Sequence, residues 1–504
     1  MVEQSAIGCL KDLFYPYVHG WELSPESGER DSYRHAVLKK RFLSAIRKLN
    51  PWLSSQKAGF LYKSVADLAS PDFSEKGMIF HDMLIHGMKM KERGQGSPRM
   101  ARLVDFENVE RNEFLCANQY SVEAPFTAGT FRKSDLVVFV NGLPLVLFEF
   151  KSFHAHETAK NAFYDHRSKM ADIPHLYVYA QLLVASNGLE TKYGTPASDW
   201  DGLLLWEGVF DEADLAVKKI DPDLRYYLLK PIGKEMTSYE VLLEGLFRRE
   251  NLLEYLRDFV LYERPEKRIV RKVAGFGHFY SIRKAIERTQ KSALGIQTDN
   301  QGTADRRVGI VRQSLDRENT LAMLLYARKA LRIRELENPL LLFLTDRENW
   351  KEQLDKLFFE PPPVALAGSV GDLEKMIKTT AGGILIVPIS KFPKGKEEES
   401  RILSDRRNIV VMADEPYRSR CRDFARNLRR ELPHASFIAF TAMPIKAAGR
   451  STALVFGEPI GGSSTDKLGS VRSWFRLIMN LGFRDFIRAF WGHKNSRPTP
   501  SVNP

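Results

Sequence analysis

Residues 134–152, SDLVVFVNGLPLVLFEFKS, constrain the fold more than any other stretch, because two apolar runs meet there at Asn141-Gly142. Asn-Gly is a strong hairpin signal, since both residues tolerate the positive φ that a tight turn demands. Charged groups stand only at the outer end of the two runs: Asp135 on one, Glu149 and Lys151 on the other.

The loop length sets which residues face each other. A strict two-residue turn pairs Asp135 with Phe148 and turns it away from Glu149, whereas a three-residue Asn141-Gly142-Leu143 loop pairs Asp135 with Glu149. The second register suits Pro144, which can open a strand. Alternation along the strand then puts Glu149 and Lys151 on one face beside Asp135, with Phe148 and Phe150 on the other.

Two carboxylates so placed can hold a hard divalent ion such as Mg²⁺, which neutralises a phosphate and acidifies a bound water. A lysine beside them can position that water or stabilise charge developing on phosphorus. This is the chemistry of phosphodiester hydrolysis. The plain alternative is a pair of solvated strand ends with Glu149 bonded to Lys151. A second Glu-x-Lys, Glu190 and Lys192, lies in a turn-like SNGLETKYG context with no hairpin behind it.

The flanking sequence places this hairpin in a larger frame. Residues 34–49 (RHAVLKKRFLSAIRKL) put Val37, Leu38, Phe42, Ile46 and Leu49 on one helical stripe that Asn50-Pro51 ends. LVDF, EFLCANQYSVE and HLYVYAQLLVA have the composition of strands. From Ser238 to Leu261, and again from Ile282, helical spacing returns and predicts a connector. Beyond it RVGIV, PLLLFLT, GGILIVPIS, NIVVMAD and ASFIAFTA alternate with helical stretches, the pattern of βαβ units and a parallel sheet.

Lys and Arg number 75 against 63 Asp and Glu, a formal charge of +12 that suits a polyanionic partner. Three well-separated cysteines, Cys9, Cys116 and Cys421, form neither a metal-ligand spacing nor an even disulfide set, so a cytoplasmic setting is expected. No apolar run is long enough to cross a bilayer, and no membrane association is expected.

LVDFENVERNEFLCANQYSVEA and RKSDLVVFVNGLPLVLFEFKS, with RKLNPWL and VASNGLETKYGTPASDW, resemble the N-terminal endonuclease domain of type I restriction-modification R subunits. The resemblance implies a PD-(D/E)xK nuclease with Asp135, Glu149 and Lys151 as catalytic residues, Asp135 and Glu149 as Mg²⁺ ligands, and DNA as substrate. Many members carry Gln-x-x-x-Tyr on the helix after the hairpin, where this chain has Asp165 and Lys169.

The resemblance continues into the first RecA-like motor domain of the same subunits through PLLLFLTDRENWKEQLDKLF, LSDRRNIVVMADEPYRSR and FARNLRRELPHASFIAFTAMPI. A working P-loop needs glycines, a Lys and a Ser or Thr. Here Asp316, Arg317 and Glu318 replace Gly-Ser-Gly, Asn319 replaces the Lys, and Thr320 alone matches. Asp414-Glu415 survive but run into Pro416-Tyr417, the third motif reads Ala442-Met443-Pro444, and His278 stands for an adenine-side glutamine. Asn319, Thr320, Asp414 and Glu415 are therefore expected to be vestiges of an ATP site.

The expected α/β architecture is a PD-(D/E)xK nuclease-like domain (1–235), a helical connector (236–295), a RecA-like pseudo-ATPase domain with a parallel sheet (296–460), and a linker with a basic amphipathic tail (461–504). The residues after Ile460 are too few for a second motor domain. The tail, with six Lys or Arg and one Asp between Arg472 and Arg497, is expected to pack on the parallel sheet. The leading function is a Mg²⁺-dependent DNA endonuclease in defence against foreign DNA, with modification and specificity subunits as candidate partners. The alternative is a catalytically weakened DNA-binding or complex-docking module of the same descent.

Overall fold

The computed structural model describes residues 2–70, 72–91, 97–152, 155–209, 236–263, 269–296, 306–312, 316–345, 364–391, 402–415, 419–441 and 452–460. Helix α1 (Val2–Asp12) leads to β1 (Tyr17–His19), then α2 (Lys39–Leu49), α3 (Ser55–Ala66) and α4 (Phe73–His86). A short hairpin, β2 (Met88–Met90) and β3 (Arg99–Ala101), precedes the long strands β4 (Phe114–Glu123), β5 (Phe131–Val140) and β6 (Leu143–Phe150). Helices α5 (Ala159–Asp172) and α6 (Pro174–Tyr177) cross to β7 (Leu182–Ser186), and β8 (Thr191–Gly194) follows.

Six of these strands form one sheet in the order β1-β4-β5-β6-β7-β8. β4, β5 and β6 are an antiparallel meander, whereas β6 and β7 are parallel and need the α5–α6 crossover between them. Residues 136–140 of β5 and 143–148 of β6 are all nearly inaccessible, as two unbroken apolar runs require.

The hairpin register comes about differently from the expectation. Val140 pairs with Leu143 across a two-residue turn in which Asn141 (φ 53°) and Gly142 (φ 76°) are both left-handed. A β-bulge then lets two residues of β6 oppose one step of β5, so Val138 pairs with Val146 and Leu136 with Phe148. The extra residue enters in the strand and not in the loop. Asp135 still comes opposite Glu149, one step beyond the last ladder pair.

The turn is fixed from outside. Asn141 Nδ2 donates to Leu103 O (2.9 Å) and Asn112 Oδ1 (2.9 Å), and its Oδ1 accepts from Glu113 N (2.8 Å). Leu38 N donates to Gly142 O at 2.9 Å, which holds residues 34–38 out of the helix expected there; α2 begins only at Lys39. LVDF is likewise not a strand, and HLYVYAQ opens as helix α6 before β7.

The region between the sheets is not purely helical. Helices α7 (Ser238–Leu246) and α8 (Arg249–Asp258) are followed by an antiparallel pair, β9 (Val260–Glu263) and β10 (Val270–Val273), and then by α9 (Phe276–Ala293). Val260, Leu261 and Val270 are β-branched or apolar at strand spacing, a signal that the charged neighbours masked. α7 packs on α1, and α9 lies on both β11 (Arg307–Arg312) and α10 (Asp316–Ala330).

β12 (Leu340–Thr345), β13 (Val364–Leu366), α11 (Val370–Thr379), β14 (Gly383–Pro388), β15 (Ile409–Asp414), α12 (Ser419–Glu431), β16 (Ser436–Thr441), α13 (Ala453–Phe456) and β17 (Pro459–Ile460) complete the described chain. Seven strands pair in parallel, in the order β13-β14-β12-β15-β16-β11-β17. On β12, Leu341 and Phe343 join a buried cluster that reaches back to the first sheet, while Leu340, Leu342 and Leu344 join a second cluster on the opposite face. Both faces are covered, as a parallel sheet requires.

One buried acid fastens α8 to α10. Asp258 is inaccessible and pairs with Lys329 (3.2 Å), Arg257 (3.3 Å) and Arg332. Burial alone would push its carboxyl up, but the three cations hold it far below the ordinary carboxylate range.

Candidate active site

β5, β6 and α5 meet around Asp135, Glu149 and Lys151. Beyond the Leu136–Phe148 pair the strands part, and the Asp135 side chain takes over from the ladder: Phe150 N donates to its Oδ2 at 2.8 Å. Phe148 and Phe150 stack with each other on the opposite face, centroids 5.8 Å apart.

Glu149 is buried, 1% exposed, although it stands at the outer end of its strand. Burial first and the charge of Asp135 second push its carboxyl well above the usual range, and Lys169 opposes them. Its Oε2 accepts from Lys169 Nζ, while Oε1 is buried and has no hydrogen-bond partner among the described residues. An unsatisfied buried carboxylate oxygen is costly, and its placement beside a second carboxylate fits a hard cation. No group of three or more His, Cys, Asp or Glu with metal-holding geometry occurs among the described residues. Asp135 and Glu149 are the two carboxylates here that could hold such an ion, with waters completing its shell.

Lys151 does not bond to Glu149. Its Nζ pairs with Asp165 Oδ2 at 2.6 Å and Glu157 Oε1 at 3.7 Å, and the bond to Asp165 leads the causes that raise its pKa. Asp165 and Lys169, noted in the sequence only as departures, are therefore part of the arrangement. The visible signal was an opposite-charge pair four residues apart, on the helix that follows the hairpin. The other Glu-x-Lys stays apart, with Lys192 over the Trp200 ring at 4.1 Å.

Between Asp165 and Lys169, His166 pins α5 to the sheet. Its Nε2–H donates to Val184 O at 3.0 Å, so Nδ1 accepts from the Tyr177 hydroxyl at 3.2 Å. Burial lowers the His166 pKa from 6.5 to about 3. Buried His81, whose Nδ1 meets Gln181 Oε1 at 2.9 Å, is also pushed well down by burial and by Arg328.

Acid should loosen this scaffold. The unfolded chain binds protons that His81 and His166 refuse, so stability is whole above their ordinary value of 6.5 and falls as pH drops below it. At pH 5 the cost at His166 is roughly 2 kcal/mol, and His81 acts in the same direction. Raised Glu149 works in the opposite sense. Melting at pH 7.5 and pH 5 checks this: the His81→Gln/His166→Gln double variant should lose less on acidification than wild type, and an equal loss refutes it.

In the second sheet, Asp414 and Glu415 lie at the carboxyl end of β15, both buried. Thr345 Oγ1 donates to Asp414 Oδ2 (3.1 Å) and Thr441 Oγ1 to Glu415 Oε2 (2.8 Å); Glu415 is left-handed, φ 50°. Asp316, Arg317, Glu318, Asn319 and Thr320 form the first turn of α10. His278 is buried on α9. Residues 313–315, Pro416-Tyr417, Ala442-Met443-Pro444 and the whole of 461–504, with its expected joint and tail, lie outside the described residues.

Residues 1–201 match the family model of the type I restriction enzyme R protein N terminus, and residues 278–465 match that of the SWI2/SNF2 ATPase. Over 471 residues, 93% of the chain, it is 48% identical to a Methanocaldococcus jannaschii protein carrying the name of the type I restriction enzyme MjaIXP endonuclease subunit. Over most of its length the chain is thus similar to R subunits of type I restriction enzymes. A second relative, the type I restriction enzyme HindI endonuclease subunit of Haemophilus influenzae, is 31% identical over 484 residues, 91% of the chain. The chain spans 44% and 43% of the lengths of these two R-subunit relatives. No helix among the described residues is long and apolar enough to cross a membrane.

Proposed function

We propose that this chain carries the DNA-cutting centre of a type I restriction enzyme R subunit, a PD-(D/E)xK nuclease that acts with Mg²⁺ in the cytoplasm against foreign DNA. The observation that carries this reading is the meeting of Asp135 with Glu149, whose buried Oε1 has no partner among the described residues, and Lys151 one pleat on. Bound there, Mg²⁺ would supply charge neutralisation and a water of lowered pKa. Asp135 and Glu149 keep the site anionic, and Lys151 offers its ammonium to the phosphate. The modification and specificity subunits of a restriction-modification complex are the partners this reading implies.

The parallel-sheet domain is proposed to be a RecA-like pseudo-ATPase. Asp316 and Glu318 would repel a triphosphate, Asn319 lacks the phosphate-binding charge, and Asp414 and Glu415 are already bonded to threonine hydroxyls. A second reading, DNA binding or docking without cleavage, draws on the capture of Lys151 by Asp165 and Glu157.

Nicking of supercoiled plasmid with and without Mg²⁺ and ATP tests both. Mg²⁺-dependent nicking indifferent to ATP, with no calorimetric ATP binding, is the expected result. Retention of DNA without nicking transfers the assignment to the second reading, and micromolar ATP affinity overturns the pseudo-ATPase.

A further inference from the structure

α5 faces the site with a set of charges opposite to those of β6. Residues two apart on a strand share a face and advance about 6.6 Å. Residues four apart on a helix share a face and advance about 6 Å. A crossover helix runs back along the strand it leaves, so the later helical residue meets the earlier strand residue. Lys169 therefore reaches Glu149, and Asp165 reaches Lys151 at 2.6 Å. His166, bonded to Val184 O and Tyr177, fixes the rotation of α5 that makes both contacts possible.

The two oxygens of Glu149 are used unequally. Lys169 takes Oε2, and Oε1 is left bare in a buried position. A cation arriving between Asp135 and Glu149 would find an oxygen with no bond to break, on a carboxylate whose orientation is already set. Charged partners of this kind fix ligand geometry and commonly change metal affinity 10- to 100-fold when removed.

We infer that Lys169 and Asp165 are positioning residues of the nuclease centre, Lys169 orienting Glu149 toward a divalent ion and Asp165 holding Lys151 beside it. The inference rests on the nuclease reading above.

Calorimetric titration of the full chain with Ca²⁺ tests it. Lys169→Met should weaken Ca²⁺ binding 10- to 100-fold. Lys169→Arg, which keeps the charge and a donor, should stay within about threefold of wild type. Asp165→Asn should leave Ca²⁺ affinity unchanged and lower kcat for Mg²⁺-dependent nicking. Tighter binding by Lys169→Met overturns the inference, because Lys169 then competes with the ion. Unchanged binding with only a lower melting temperature also overturns it, because the pair is then merely structural. Asp135→Asn separates the two levels: if it weakens Ca²⁺ binding and Lys169→Met does not, only the positioning role fails. If Asp135→Asn leaves the titration untouched, or wild type binds no Ca²⁺, the metal site fails and takes the inference with it.

Discussion

Glu149→Gln should lower Mg²⁺-dependent DNA cleavage at least about a thousandfold, the scale on which loss of charge stabilisation acts in a hydrolytic centre. The amide keeps the volume of the side chain but is a poor ligand for a hard cation. Because Glu149 is buried against Lys169, its replacement also leaves an ammonium without its counter-charge, so stability should change as well. Lys151→Ala should abolish nicking with a smaller effect on melting, since Lys151 lies nearer the surface. Initial nicking rates decide the matter; a Glu149→Gln variant within tenfold of wild type would falsify the assignment.

Asp258→Ala should cost about 3–5 kcal/mol, the usual result of removing one member of a buried ion cluster. Lys329, at 9% side-chain exposure, would face Arg257 and Arg332 with no acid between them but Glu254. The expected drop in Tm is on the order of 10 °C. Because the Asp258 carboxyl is held below its unfolded value, its contribution is present above the ordinary carboxylate range and vanishes only in strong acid. The drop should therefore persist unchanged between pH 6 and pH 8, and a Tm within two or three degrees of wild type would show the cluster to be dispensable.

How far the sequence could be read depends on how local each signal was. The Asn141-Gly142 turn and the apolar strands RVGIV, PLLLFLT, GGILIVPIS, NIVVMAD and ASFIAFTA are short-range patterns, and each appears where the residues predict it. The pairing of Asp135 with Glu149 was anticipated through the wrong device, because a bulge inside a uniformly apolar strand leaves no compositional mark. The β9–β10 pair was hidden for a related reason: VLYE and VRKV carry helix-compatible charges, and only the partner strand decides between the two states. Asp165 and Lys169 were visible as residues but not as neighbours of the site. Their placement follows from the rotation of α5, which His166 sets through contacts 11 and 18 residues away.

The Asn141-Gly142 turn is clamped at the end of the hairpin remote from the chemistry. A Cβ on Gly142 would meet Leu38 O at 2.6 Å and Phe42 N at 2.8 Å, both backbone atoms of the α2 entrance. Six residues of strand, roughly 20 Å, separate this clamp from Asp135. Strand side chains alternate, so a slip of one residue here would carry Asp135 from the Glu149 side to the Phe148 side. The hairpin thus behaves as a lever whose fulcrum lies under α2. On the proposed nuclease reading, a lesion at Gly142 would extinguish cutting from a distance with every carboxylate and lysine intact, and a screen for inactive variants would find it without finding a single altered charge.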